Sequence, residues 1–137
     1  MKTRVLDSWP ILEWIRGREP ATDIVTKLFA ESEAGTTRLF MSAINVGEVY
    51  YFLRKHHSEK LAESWRESSR TLPATIEVPT ADEIWDAALL KARYPIAYAD
   101  AFAAALAHKH RCALVTGDPD FRVIPDLDLD WIGRATA

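Results

Sequence analysis

The stretch YADAFAAALAHKHRCALVTGDPDF, from Tyr98 to Phe121, decides the fold class because it contains a complete helix, strand and turn. Its first half is rich in alanine, the residue with the highest helix propensity. The apolar run from Cys112 to Thr116 has the length of a short strand, and the Gly-Asp-Pro at 117–119 ends it. The stretch therefore predicts a helix followed by a buried strand and an acidic turn.

Two acids frame this unit. Asp100 lies in the first turn of the predicted helix, and Asp118 lies just past the strand. Each has an ordinary structural explanation, since an acid favours the positive end of a helix dipole and Asp is common in turns. However, ligands of α/β folds bind in the crevice beyond the carboxyl ends of the strands. A functional interpretation gains weight if the other strand ends also carry acids.

The composition indicates one globular domain over residues 1–137, because 48% of the residues are hydrophobic and 27% are charged. Cys112 is the single cysteine, which excludes a disulfide framework and indicates a reducing compartment. The N-terminal region carries Asp7, Glu13 and Arg16, which do not suit a signal peptide, and no apolar run is long enough to span a bilayer. We therefore expect a cytoplasmic protein without membrane contact.

The net charge of −3 disfavours a broad basic surface for nucleic-acid binding. It does not disfavour an enzyme that meets nucleic acid through metal ions, because such a site concentrates negative charge that the cation reverses.

Apolar runs and helical patterns alternate along the rest of the chain, which predicts a parallel sheet covered by helices on both faces. The expected architecture is a three-layer α/β/α sandwich around a mostly parallel sheet of four to five strands. A loose tail is expected from Gly133 to Ala137. The predicted strands lie at 4–6, 39–41, 75–78, 112–116 and 129–132, and a Thr80/Glu83 capping box is predicted to start a helix.

The helix predicted after Ser42, a suitable N-cap, is almost without a polar face as far as Lys55, so we expect it to be buried on most sides. Glu48 lies in its second turn, about one turn after Asn45. A carboxylate on a buried helix is costly unless it is paired or bound to a metal. A core salt bridge and a local solvent channel are the structural alternatives.

Four acids thus occupy similar places near strand ends, and a fifth follows closely. Three or four carboxylates within a few ångströms cannot all stay ionised without a cation. Oxygen ligands without convergent His or Cys favour Mg²⁺ or Mn²⁺, which activate water and stabilise phosphoryl transition states. The four are Asp7, Glu48, Asp100 and Asp118, and the fifth is Asp120.

Other chemistries fit less well. The chain has no Gly-rich phosphate loop and no G-x-S-x-G elbow. The histidines at 56, 57, 108 and 110 stand at helix ends in basic company, and we expect them to be surface residues that complement the helix dipole. The hydroxyl of Thr116 is placed to hold a water or a carboxylate.

In order and spacing, four segments resemble the acidic motifs of PIN-domain nucleases. The length of the chain and its tail resemble the single-domain VapC-like ribonucleases, which are the toxins of bacterial type II toxin–antitoxin pairs. Trp9 and Pro10 stand where small or aliphatic residues are also common, which bears on the shape of the pocket more than on the metal site. The segments are Val5-Leu6-Asp7, Ser42 with Asn45 and Glu48, Tyr98-Ala99-Asp100-Ala101, and 115–121.

The resemblance implies an Mg²⁺- or Mn²⁺-dependent endoribonuclease that acts as a toxin. It also implies a cognate antitoxin, whose tail would lie across the acidic groove, and a homodimer. Asp7 and Asp100 would be the firmest of the catalytic and metal-binding acids. The other two would be Glu48 and Asp118, with Thr116, Asp120, Asn45 and Ser42 in support.

Two other interpretations stay open. A phosphoryl-receiver domain also clusters acids around Mg²⁺. Such a domain would be expected to have a Lys at the end of the last core strand, where this chain has Thr116 and Gly117. A catalytically idle PIN-like domain that only binds a partner would usually have lost one of the four acids, and all four are present.

Overall fold

The computed structural model describes residues 1–134, which form a five-stranded sheet in the order β3-β2-β1-β4-β5. All four pairs of neighbouring strands are parallel. The prediction of a mostly parallel sheet of four to five strands is confirmed. The strands are β1 (Lys2–Leu6), β2 (Thr37–Ser42), β3 (Thr75–Glu77), β4 (Ala113–Thr116) and β5 (Leu129–Trp131).

Six α-helices and two short 3₁₀ segments connect the described strands. The helices are α1 (Ser8–Arg16), α2 (Ala21–Glu33), α3 (Ala43–His56), α4 (Glu59–Ser68), α5 (Ala81–Arg93) and α6 (Tyr98–His110), and the 3₁₀ segments are Ser69–Thr71 and Pro119–Val123. No helix within residues 1–134 is long and apolar enough to cross a membrane. Of the predicted tail, residues 135–137 lie outside the described part of the chain.

The two faces of the sheet carry separate cores because side chains alternate along each strand. Val5 packs with α5 and α6 on one face, whereas Leu6 packs with α1 to α4 on the other. Leu114 and Val115 divide between the same two faces. Helices therefore cover both faces, as the three-layer prediction requires.

Local capping places the helices that start at the sheet's carboxyl edge. Asp7 caps α1 and Ser42 caps α3 through their side chains. Thr80 and Glu83 form the predicted capping box at the start of α5. Each cap satisfies a backbone N–H that the helix itself leaves unpaired.

The prediction that α3 is buried on most sides is wrong. Its fully buried residues are Asn45, Val49 and Leu53, whereas Ile44 is 39% and Tyr51 58% exposed. The apolar residues are spread around the helix, but only one stripe faces the sheet and its neighbouring helices. Apolar composition alone did not indicate which part of the surface a neighbour covers.

The prediction of surface histidines holds for His56 and His57, which are exposed. It is wrong for His110, which is half-buried and stacks on Phe40 with ring centroids 3.8 Å apart. His110 also lies 2.5 Å from the Glu77 carboxylate. A helix-end position therefore did not imply solvation, because the end of α6 packs against β2 and β3.

Candidate metal centre

The predicted acids lie where the strand order reverses. β1 is followed along the sheet by β2 and β3 on one side and by β4 and β5 on the other. Asp7 follows β1, and Asp118 follows β4 by two residues. This arrangement opens a crevice beyond the carboxyl ends of adjacent parallel strands, the usual ligand site of such sheets.

Asp7 is almost completely buried, at 1% exposure. The Thr116 hydroxyl donates a hydrogen bond to Asp7 Oδ2 at 3.0 Å, and the Trp9 backbone N–H donates to the same oxygen at 3.4 Å. Burial, followed by repulsion from Asp100 and Glu48, raises the pKa of Asp7 to about 8. The protonated form of Asp7 is therefore favoured at neutral pH unless a cation binds beside it.

Asp100 opens α6 and is 6% exposed. Burial, followed by repulsion from Asp118 and Glu48, raises the pKa of Asp100 to about 7. A hydrogen bond with the Ala97 backbone lowers this pKa, but by less than burial and repulsion raise it. Two acids from different parts of the chain thus show the signature of carboxylates held together without a cation.

Glu48 reaches the cluster from α3 and is held there by Asn45. The Asn45 amide donates to Glu48 Oε1 at 3.3 Å and to the Ala99 carbonyl at 3.1 Å, which ties α3 to the start of α6. Asn45 is 0% exposed, yet its Oδ1 has no hydrogen-bond partner within the described chain. A buried amide oxygen of this kind has the capacity to accept from a bound water.

The hydroxyl of Thr116 joins the two halves of the site. It donates to Asp7 and accepts from the Asp118 backbone N–H at 3.1 Å. Asp118 in turn accepts from the Asp120 backbone N–H at 2.9 Å. Ser42 is buried and caps α3 at 3.2 Å to the Ile44 N–H, so it supports the helix that carries Glu48.

The acids form two overlapping triplets. One carboxylate oxygen from each of Asp7, Glu48 and Asp100 lies within 4.8 Å of the others, and the same holds for Asp100, Asp118 and Asp120. Within residues 1–134, no Lys, Arg or His forms an ion pair with any of these five acids. An all-oxygen set with uncompensated charge and an orphaned amide oxygen suits a hard divalent cation.

The sequence motifs did not predict how Trp9 sits beside this centre. A Cβ built at Gly117 would fall 2.3 to 2.6 Å from ring atoms of Trp9, so the indole lies directly on the glycine. The only sequence signal was the position of Trp9 two residues after Asp7. Gly117 therefore provides space for an aromatic wall next to the acids.

The PIN domain family model matches residues 4–127, so the chain belongs to the PIN domain family. No curated protein matches the chain by sequence.

Several solved structures share the fold. VapC20 of Mycobacterium tuberculosis, described as a Sarcin-Ricin loop cleaving toxin, has a TM-score of 0.74 at 15% identity, over 92% of this chain and 98% of that one. VapBC2 of Rickettsia felis bound to promoter DNA has a TM-score of 0.72 at 18% identity, over 93% and 97% of the two chains. A toxin–antitoxin complex from Klebsiella pneumoniae gives 0.66 at 24% identity, over 90% and 94%.

Proposed function

We propose that this protein is a metal-dependent ribonuclease that acts as the toxin of a toxin–antitoxin pair. One observation carries the proposal: five acids converge at the strand-order reversal, in two triplets that share Asp100, and none of them forms an ion pair with a Lys, Arg or His of residues 1–134. Membership of the PIN domain family and the fold shared with toxin structures support the same activity.

Asp7, Glu48 and Asp100 would hold one Mg²⁺ or Mn²⁺, and Asp118 with Asp120 would complete a second set around Asp100. When bound, such an ion supplies water activation and charge neutralisation at the phosphoryl group. Thr116 keeps the Asp7 carboxylate oriented, and Asn45 keeps Glu48 turned toward α6. The buried setting of Asp7 and Asp100 excludes water and strengthens their attraction for a cation.

The partner that we propose is an antitoxin with an extended tail in the acidic groove. A basic side chain on that tail would match the uncompensated carboxylates. Solved relatives of this fold are described as toxin–antitoxin complexes, one of them bound to DNA. The cytoplasmic location, the single domain over 1–137 and the homodimer stay predictions.

A purified sample should cleave RNA in Mg²⁺ or Mn²⁺ and stop cleaving in EDTA. The control is the same preparation with the metal restored, which should recover activity. Undiminished cleavage in EDTA would contradict the metal mechanism.

Expression in a bacterial host without the antitoxin should arrest growth, and Asp7→Ala should relieve the arrest. Equal slowing of growth by both proteins, at matched expression, would remove the support for a toxin. Rescue by a co-expressed antitoxin would identify the partner.

An idle partner-binding domain is the second candidate, since this chain would then fold and bind without cleaving. The intact set of acids with raised pKa values at Asp7 and Asp100 favours the enzyme, because a domain that only binds has no need to keep uncompensated buried charge. The receiver alternative is disfavoured because the chain belongs to the PIN domain family and β4 ends in Thr116 without a lysine.

A further inference from the structure

A second concave site adjoins the acids. It is a cavity of about 600 Å³, within the range of small-ligand sites. Trp9 and Trp131 line it, and so do Gly117 and Pro119, which flank Asp118 on either side. The cavity and the candidate metal centre therefore share the loop that follows β4.

The sheet register places Trp131 at this cavity. Trp131 pairs with Thr116 at the carboxyl end of β5, next to the hydroxyl that holds Asp7. The chain of Gly133 passes so close that a Cβ there would lie 2.9 Å from the Cα of Gly117 and 3.0 Å from the Trp131 ring. The absence of side chains at Gly117 and Gly133 therefore leaves room for both indole rings at the opening of the cavity.

The formal charges of the cavity lining balance, and Arg134 is the arginine left available to a ligand phosphate. Arg18 and Arg134 line it together with Glu13 and Glu19. Glu13 already lies 3.6 Å from Arg18 and 3.7 Å from Arg16, whereas Arg134 forms no ion pair within residues 1–134. The Arg122 guanidinium, which is not part of the lining, lies over one face of the Trp131 ring at 4.0 Å from its centroid, so a base would stack on the opposite face.

We propose that this cavity, between Trp9, Trp131 and Arg134, holds an unpaired nucleobase of the RNA next to the phosphate that is cut. The inference rests on the proposed ribonuclease function and names the form of its substrate. Aromatic rings beside arginines are a common means of binding single-stranded nucleic acid, since every base has a face that can stack on an aromatic ring. A base inside a duplex would not reach such a cavity, so the site requires a loop or an unpaired strand.

Binding experiments can separate the contribution of base stacking on Trp131 from that of phosphate contacts with Arg134. In an Asp100→Asn background without metal, binding of labelled oligo-U, oligo-A and oligo-C ribonucleotides would be measured by fluorescence anisotropy. Trp131→Leu should raise the Kd about tenfold, and Arg134→Ala severalfold, because stacking and charge contacts of this kind have that scale. Matched controls are Trp85→Leu and Arg70→Ala, exposed residues on α5 and near the end of α4.

An oligoribonucleotide that lacks its bases separates stacking from charge. Trp131→Leu should bind the abasic probe as the parent does, whereas Arg134→Ala should bind it more weakly. Equal affinity of the Trp131→Leu and parent proteins for the base-containing probes would overturn the proposal. Loss of antitoxin binding alone, with RNA binding kept, would assign the cavity to the antitoxin and overturn it as well.

Steady-state cleavage kinetics are measured on the protein with Asp100 intact. Trp131→Leu and Arg134→Ala should raise KM and keep kcat within about twofold, since uniform binding is removed while the metal site stays intact. An unchanged KM would overturn the base site. A wild-type chain that binds these probes through Trp131 but never cleaves would instead reject the ribonuclease and keep the site. If Trp131→Leu does not fold, Arg134→Ala, at an exposed residue, decides the result.

Discussion

Two groups of acids in this protein have opposite surroundings. Glu77 and Glu83, which link β3 and α5 to the end of α6, meet Lys109 at 3.6 Å and 2.8 Å, and Glu77 also meets His110. The acids at the carboxyl edge of the sheet meet only one another and neutral groups within the described residues. The first group joins elements of the fold, whereas the second leaves negative charge uncompensated at the expense of stability.

The difference shows how to separate structural from functional acids. Buried acids are normally paired, because an isolated charge in the interior is costly. Glu83 follows that rule at 4% exposure, and it also closes the capping box of α5. Asp7 and Asp100 depart from it at similar burial, which is the pattern expected when a cation from solution completes the site.

The largest expected effect is on activity. Asp100→Asn should lower RNA cleavage at least about a hundredfold, since even outer partners of metal ligands cost tenfold to a hundredfold. Glu83→Gln is the matched change in the paired group, and it should stay within about twofold of wild type. Initial rates with Mn²⁺, at equal folded fraction by far-UV circular dichroism, make the comparison. A similar loss in both variants would erase the distinction between the two groups.

The next effect is metal-linked stability. At about 100 times its Kd, Mg²⁺ or Mn²⁺ should stabilise the wild type by about 2.7 kcal/mol, and it should stabilise Glu83→Gln equally. Asp100→Asn, which lacks the acid shared by both triplets, should gain much less. Thermal melts with and without EDTA measure the gain. An equal gain in Asp100→Asn would place the cation elsewhere.

The third effect is the pH dependence of the metal-free protein. The folded pKa values of Asp7 and Asp100, about 8 and about 7, lie above the unfolded value of about 4. Between these limits the folded state binds more protons than the unfolded state, so stability falls as pH rises. We expect a loss of about 2.5 kcal/mol from pH 5 to pH 6 in EDTA, measured by urea unfolding, and about half that loss in Asp100→Asn. A rise in stability over that window would show that the carboxylates are not crowded.

The sequence allowed the strands, the caps and the positions of the acids to be predicted because each depends on neighbouring residues. Asp7 and Asp118 follow apolar runs directly, and the Thr80/Glu83 box spans one helical turn. The link from Asn45 to the Ala99 carbonyl crosses 54 residues, and no local pattern indicates it.

Contacts between residues far apart in the sequence determine the features that the sequence did not predict. The exposure of α3 depends on which helices cover it, and its composition gave the wrong answer. Trp9 and Trp131 line the same cavity because β1, β4 and β5 lie side by side, and this pairing joins distant parts of the chain. Local patterns therefore predicted the metal centre better than the cavity beside it.

The smallest effect is the most direct contrast, because the same carboxylate-to-amide change should have opposite signs in the two groups. In EDTA at pH 7, Asp100→Asn should be more stable than wild type by roughly 1 kcal/mol, since it relieves repulsion from Asp118 and Glu48. Glu83→Gln should be less stable by about 1 kcal/mol or less, because Gln keeps the capping geometry but loses the charge that Lys109 meets at 2.8 Å. Urea unfolding of both variants beside wild type, in low salt, measures the two differences. Suppose that Asp100→Asn destabilises the metal-free protein as Glu83→Gln does. Asp100 would then be a helix-start residue with a structural role, and repulsion among the acids at the sheet edge would not lower the stability of the fold.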